Sequence, residues 1–154
     1  IFFRVFLIMA SIFNENQRFV NAQGEPVSIT HLTEMKKIGF YFSAHWCPPC
    51  RGFTPKLAAA YQIIRAQHPD FEIIFVTSDR DETSFKEYLG SMPWIALPFG
   101  DPTIPTLKRT YNVTGIPLLV IVDGDGTLIT KEARNIIHSD EPHKYANVWD
   151  KLVP

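Results

Sequence analysis

The sequence predicts a three-layer α/β domain: a central mixed β-sheet with helices on both faces and an N-terminal β-hairpin. Three observations carry this. Apolar strand-like segments alternate with helical ones through the middle of the chain, which implies parallel pairing with right-handed crossovers. A Gly-rich turn follows the last strong strand and implies an antiparallel edge. The 154 residues are 45% hydrophobic and 13% aromatic, enough for one core that does not lean on disulfides.

The first thirteen residues, Ile1 to Phe13, form an apolar run broken by Arg4. It is too short to span a bilayer as a helix. Two readings stay open: a signal-peptide core with Val20-Asn21-Ala22 as a poor cleavage site, or residues upstream of a start at Met9. The second is preferred, which places the domain over 11–150 and leaves 1–10 as an N-terminal extension. Phe19-Val20, the turn Asn21 to Gly24, then Val27 and Ile29 have the form of a short hairpin. Ile38 to Ala44 is apolar and aromatic and reads as a buried strand.

Pro48 and Pro49 suit the first turn of a helix, where a missing N–H costs nothing. That helix continues to about Gln67 and stops at His68-Pro69, with Pro55 expected to kink it. Glu72 to Thr77 is a second buried strand, rich in β-branched residues. Asp81-Glu82-Thr83 opens a helix with Phe85, Tyr88 and Leu89 on one face and Gly90 as its stop. Pro102 and Pro105 lead into a short helix ending near Tyr111. Pro117 to Val122 is a third strong strand, and Asp123 to Gly126 turns it back into Thr127 to Thr130. Ala133 to Ser139 reads as the last helix.

The two cysteines of the chain, Cys47 and Cys50, lie at the junction of the first buried strand and the first long helix. A thiol there sits beside free N–H groups and the positive end of the helix dipole, which favour a thiolate. The expectation for Cys47 is a pKa drawn from roughly 8.5 toward neutrality. Cys50 is one turn on and faces the same side, so the pair can close and open a disulfide. Cys47 would attack a target disulfide and Cys50 would resolve the mixed disulfide.

Two other readings of the pair are weaker. A static bridge closing so small a loop removes little chain entropy and would stabilise little. Zinc needs four ligands; there is no second Cys-X-X-Cys, His138 and His143 are remote, and His45 still leaves the set short. No metal is expected. Asp123-Gly124-Asp125-Gly126 has the form of a calcium loop, yet the remaining oxygen ligands are missing. The formal net charge is −1 with no Lys/Arg run, so nucleic-acid binding is not expected.

Phe42-Ser-Ala-His-Trp-Cys-Pro-Pro-Cys-Arg-Gly-Phe-Thr-Pro55 resembles the thioredoxin superfamily, in particular its tryparedoxin and nucleoredoxin branch. Phe71 to Asp79, Met92-Pro93-Trp94 with Leu97-Pro98-Phe99, and Tyr111 to Pro117 support the likeness. It runs from about Ser11 to about Trp149 and extends to the small nematode thioredoxins of that branch. The resemblance implies the thioredoxin fold over 11–150 and a protein-disulfide reductase that binds no cofactor, its redox centre being the Cys47–Cys50 disulfide. It implies a cis Ile116–Pro117 bond facing the cysteines, with that backbone and Trp46 contacting substrate. Arg134 falls where tryparedoxins have an arginine near the substrate groove; a solvated helix charge is an equal alternative.

Two departures from the family stand out. Ordinary thioredoxins carry a buried Asp where this chain has Tyr41, and a nearby strand lysine where it has Phe75. The acid/base helper of Cys50 is therefore unassigned, with Tyr41 or a water as candidates. Pro48 and Pro49 stiffen the first helical turn, and Arg51 either favours a thiolate or has a structural role. The resemblance implies disulfide-containing proteins as partners, peroxiredoxins among them. The electron donor would be an NADPH-dependent thioredoxin reductase or a low-molecular-weight thiol. A cytoplasmic monomer away from membranes is expected, with secretion as the alternative compartment. Two other functions compete: a redox-sensitive binding module of nucleoredoxin type, and net oxidation or isomerisation in a secretory compartment.

Overall fold

The computed structural model describes residues 12–154. The two readings of the apolar N-terminal run fall on residues almost wholly outside that range. The hairpin is present as β1 (Arg18–Val20) and β2 (Pro26–Ser28), joined by a turn in which Gly24 takes φ +79°. Asn21 Oδ1 accepts from Gln23 N and Glu25 N and fixes that turn. β3 (Lys37–Ser43) leads into α1 (Pro48–Gln67), and β4 (Phe71–Thr77) into α2 (Glu82–Leu89).

A two-residue strand β5 (Ile95–Ala96) and α3 (Thr103–Thr110) precede β6 (Leu118–Asp123) and β7 (Leu128–Thr130). The chain closes with α4 (Ala133–Ser139) and α5 (Val148–Leu152). α1 continues through Pro55, which has no N–H to offer the Arg51 carbonyl, and Asp81 caps α2 by accepting from Ser84 N at 2.8 Å. Gly90 ends α2 at φ −57°, a right-handed stop that does not draw on glycine's left-handed freedom.

The seven strands form one mixed sheet in the order β2-β1-β5-β4-β3-β6-β7. β3 pairs parallel with β4 and antiparallel with β6, so the closing hairpin forms the expected antiparallel edge of the sheet. The hairpin joins through β5, where Val20 pairs with Ala96. β5 escapes the sequence pattern because two residues are too few to show alternation. The C-terminal α5 and the 3-10 turns at Ile29–Leu32 and Pro142–Asn147 are likewise too short for a periodic signal.

Both faces of the sheet are covered, and the parity of each strand decides which layer a side chain enters. Ile38, Phe40 and Phe42 of β3 pack with Leu32, Ile104 and Leu107. Tyr41 of the same strand packs with Phe53, Leu57, Phe85 and Tyr88 from α1 and α2. Ser43 shares that parity, two residues on. Among the described residues no helix is long and apolar enough to cross a membrane.

Candidate active site

The site is built where β3 ends and α1 begins. Cys47 is the N-cap residue of α1, extended at φ −94°, ψ 109°, and its carbonyl already accepts from Arg51 N at 3.1 Å. Pro48 and Pro49 offer no N–H, so Cys50 supplies the first free amide of the helix. The loop before the cysteine is fixed from three sides. Cys47 N donates to Ala44 O at 3.2 Å, His45 N donates to Asp79 Oδ1 at 2.8 Å, and Arg51 Nη1 donates to His45 O at 2.7 Å. Arg51 therefore braces the loop through its backbone. Asp79 is itself held by Thr77, whose hydroxyl donates to Oδ2 at 2.8 Å.

Both thiols are unbridged and buried, Cys47 at 5% exposure and Cys50 at 0%. They form a small apolar cluster with Ala44 and Ile116. The Ile116–Pro117 bond is cis, and the Cys47 thiol points at the Ile116 carbonyl at 4.0 Å, a long contact even for sulfur. Trp46 is 46% exposed, with its Nε1 donating to Ser78 O at 3.1 Å. Cys47, Trp46, Ile116 and Pro117 are thus gathered at one end of the sheet. Arg134 lies on α4, where its Nη1 donates to Asn135 Oδ1 at 3.4 Å and its buried Nε has no partner among the described residues. No bond ties it to the cysteines.

Beneath Cys50 lies a chain of hydroxyls. Tyr41 OH is 2.8 Å from Thr54 Oγ1, Thr54 Oγ1 is 2.6 Å from Tyr88 OH, and Tyr88 OH is 2.9 Å from Ser43 Oγ. Thr54 also donates to the Cys50 carbonyl at 3.0 Å. Burial, helped by the Cys47 thiol, pushes Cys50 up to about 11 against the weaker opposing pull of Ser43. Burial likewise raises Tyr41 and Tyr88 above the usual phenol range. Phe75, where thioredoxins have a lysine, packs edge-on to Tyr88 with ring centroids 5.5 Å apart.

Tyr41, one of the two candidates for the acid/base helper of Cys50, hydrogen-bonds to Thr54, whose hydroxyl donates to the Cys50 carbonyl. Two signals for this were available in the sequence. Ser43 shares strand parity with Tyr41, and Thr54 follows Cys50 by one helical turn. Tyr88 could come only from the tertiary fold. A cavity of about 470 Å³ lined by His45, Arg51, Thr54 and Tyr88 opens beside this chain. Among the described residues no cluster of His, Cys, Asp and Glu is placed to hold a metal.

Comparison with known proteins agrees with this geometry. A thioredoxin-like family model matches residues 35–128. The chain is 54% identical over 117 residues to a probable nucleoredoxin 1 of Arabidopsis thaliana, a match covering 76% of this chain but only 20% of that relative. Among solved structures, thioredoxin of Wuchereria bancrofti superposes with a TM-score of 0.76 at 35% identity, over 90% of this chain and 97% of the other. Tryparedoxin I of Crithidia fasciculata gives 0.77 at 36% identity, over 86% and 91%.

Proposed function

This chain belongs to the thioredoxin-like family, and from that premise we propose that it is an oxidoreductase that reduces protein disulfides through Cys47 and Cys50. The observation that carries the reading is the position of Cys47: N-cap of α1, only 5% exposed but less deeply placed than Cys50, which is fully buried one turn behind it. Cys47 as thiolate attacks one sulfur of a substrate disulfide, which breaks and releases the other sulfur as a thiolate. Cys50 then attacks Cys47 Sγ, the mixed disulfide breaks, and the Cys47–Cys50 bond forms. Two electrons pass from the dithiol to the substrate, whose two thiols take up two protons.

The backbone at Ile116 and the face of Trp46 flank the attacking sulfur and would bind the substrate chain. Pro48 and Pro49 stiffen the turn between the two sulfurs, while Arg51 holds the loop in place. The oxidised pair would be returned to the dithiol by an NADPH-dependent reductase or a low-molecular-weight thiol, with no bound cofactor. Tryparedoxin-like architecture does not by itself select between these donors. Rates of recharging with each would.

The test of function uses the cysteines separately. Cys47→Ser should abolish reduction of insulin disulfides, and Cys50→Ser should accumulate a mixed disulfide with the substrate. Full activity in Cys47→Ser would sink the assignment.

A second reading is favoured by the 54% identity to a probable nucleoredoxin: a redox-sensitive binding module in which the pair switches a partner interaction. Negligible turnover together with stable capture of a partner by only one redox form would select it.

A further inference from the structure

The indole next to Cys47 carries a cation that has no counterion. The Arg80 guanidinium carbon sits 4.7 Å from the Trp46 ring centroid, within cation–π range. Arg80 is exposed, and among the described residues its N–H groups meet no acceptor and no carboxylate. The acidic residues around it in the chain are all committed elsewhere. Asp79 accepts from His45 N and from the Thr77 hydroxyl. Asp81 accepts from Ser84 N and Ser84 Oγ, and Glu82 pairs with Lys86 at 3.4 Å. Lys108 brings a second positive charge to the same edge: its Nζ donates to Ser78 Oγ, and the carbonyl of Ser78 receives Trp46 Nε1. Lys108 likewise has no ion pair among the described residues.

We propose that Arg80 determines specificity, selecting disulfide-containing proteins that carry an acidic side chain close to the attacked cysteine. The inference rests on the proposed reduction of protein disulfides and names the substrate class. A guanidinium offers paired N–H groups in a fork that matches a carboxylate. The ring beneath Arg80 restrains that fork, so less freedom is lost when a carboxylate docks. Trp46 directly precedes Cys47, which keeps Arg80 within a few residues' reach of the attacking sulfur. An extended substrate chain covers about 3.3 Å per residue, so the carboxylate falls roughly two to four positions from the attacked cysteine.

Charge gives this arrangement its sign. An acidic segment that approaches the Cys47 thiolate is repelled by it, and Arg80 with Lys108 offsets that repulsion. A segment bearing lysine at the same position meets two like charges instead. The substrate carboxylate stays ionised and takes no part in the exchange of sulfur bonds. Arg80 acts on which substrate is bound, and the attack remains the work of Cys47.

The test uses short symmetric peptide disulfides with Glu, Gln or Lys at each position on either side of the cysteine. The readout is the second-order rate of a single turnover by the reduced protein, which needs no electron donor. At one position Glu should exceed Gln about threefold at low ionic strength, with Lys below Gln. Arg80→Ala should bring the Glu-to-Gln ratio to about one, and Arg80→Glu should invert the order. The ratio should also collapse at about 1 M salt, where the screening length is about 3 Å. A ratio of one at every position in the wild type overturns the proposal. So does a preference that survives Arg80→Ala or persists undiminished in high salt. Binding of fluorescent peptides with Ala in place of cysteine, followed by anisotropy with the Cys47→Ser protein, repeats the comparison without turnover. A wild type that reduces none of the peptides defeats the functional reading, and the binding order then decides this inference alone. Glu above Gln above Lys, lost in Arg80→Ala, sustains it; any other order overturns it.

Discussion

Arg80 lies over the indole of Trp46, its guanidinium carbon 4.7 Å from the ring centroid. The same indole is anchored through Nε1 to the Ser78 carbonyl, and Lys108 Nζ donates to Ser78 Oγ at 2.7 Å. Burial holds Lys108 below its usual range. The exposed ring beside Cys47 is therefore held by a hydrogen bond at its edge and a cation on its face, which would limit the freedom lost in the substrate contact proposed for it.

Trp46→Ala should lower kcat/KM for insulin reduction about tenfold, mainly through KM. Arg80→Ala should do less. A double-mutant cycle should assign about 0.5–1 kcal/mol to the pair, the range for an exposed cation–π contact. Additive effects would show that Arg80 does not act through the ring.

Alkaline pH should destabilise the reduced protein, and the sign follows from where the protons sit. The fold raises Cys50 from 9.0 to about 11 and Tyr111 from 10.0 to about 12, both chiefly by burial. Folded chains thus keep protons that unfolded chains release, so the stability these groups contribute is present below pH 9.0. It fades as pH rises through about 11 for Cys50 and about 12 for Tyr111. Thermal midpoints measured from neutral to strongly alkaline pH should fall, and Cys50→Ala should flatten the earlier part of the decline. A midpoint that rises over that window contradicts the assignment.

Glu72 is a buried carboxylate at the opposite end of the sheet. It accepts from Tyr61 OH at 2.8 Å and from Ile73 N at 2.9 Å, and lies 2.7 Å from His31 Nε2. Glu72→Ala would leave two buried donors without an acceptor and should cost about 2–4 kcal/mol in urea unfolding. Glu72→Gln keeps an acceptor oxygen and should cost less. Because Glu72 pairs with Ile38 while Thr77 pairs with Ser43 at the far end, roughly 17 Å of strand separate it from the redox end. Insulin reduction per folded molecule should be unchanged.

How far the sequence discloses this molecule depends on how local each feature is. β3, α1, β4, α2 and β6 are legible because each is long enough to show its period and has a visible start or stop, as Asp81 shows for α2. The Cys47–Cys50 pair is legible because helix-start chemistry and spacing act within one turn. β5 is not legible, since Ile95–Ala96 becomes a strand only by meeting Val20 on one side and Ile74 on the other. The hydroxyl chain is half legible: parity aligns Ser43 with Tyr41, but Tyr88 joins them only once α2 has packed on the sheet. His45 stacks on Tyr88 with centroids 5.2 Å apart, another contact that no spacing announces.

The strand that carries Ser43 also contains a glycine with no room to spare. A Cβ on Gly39 would meet Leu119 Cδ1 at 3.2 Å, Ile73 Cγ1 at 3.3 Å and Phe71 Cζ at 3.4 Å. These atoms come from both strands that flank β3, so relief by a shift toward one neighbour tightens the contact with the other. Overpacking of this kind costs about 1–3 kcal/mol, against about 0.5–1 kcal/mol recovered from the lower backbone entropy of alanine in the unfolded chain. Gly39→Ala should therefore destabilise by about 1–2 kcal/mol in urea unfolding. Leu119→Val in the same chain removes the nearest methyl and should return part of that loss, whereas Leu119→Val alone should destabilise. Gly39 shares parity with Tyr41 and Ser43, so any accommodation propagates along the face that holds the hydroxyl chain. Independent, additive effects of the two substitutions would show that the close approach at Gly39 is not what the strand depends on.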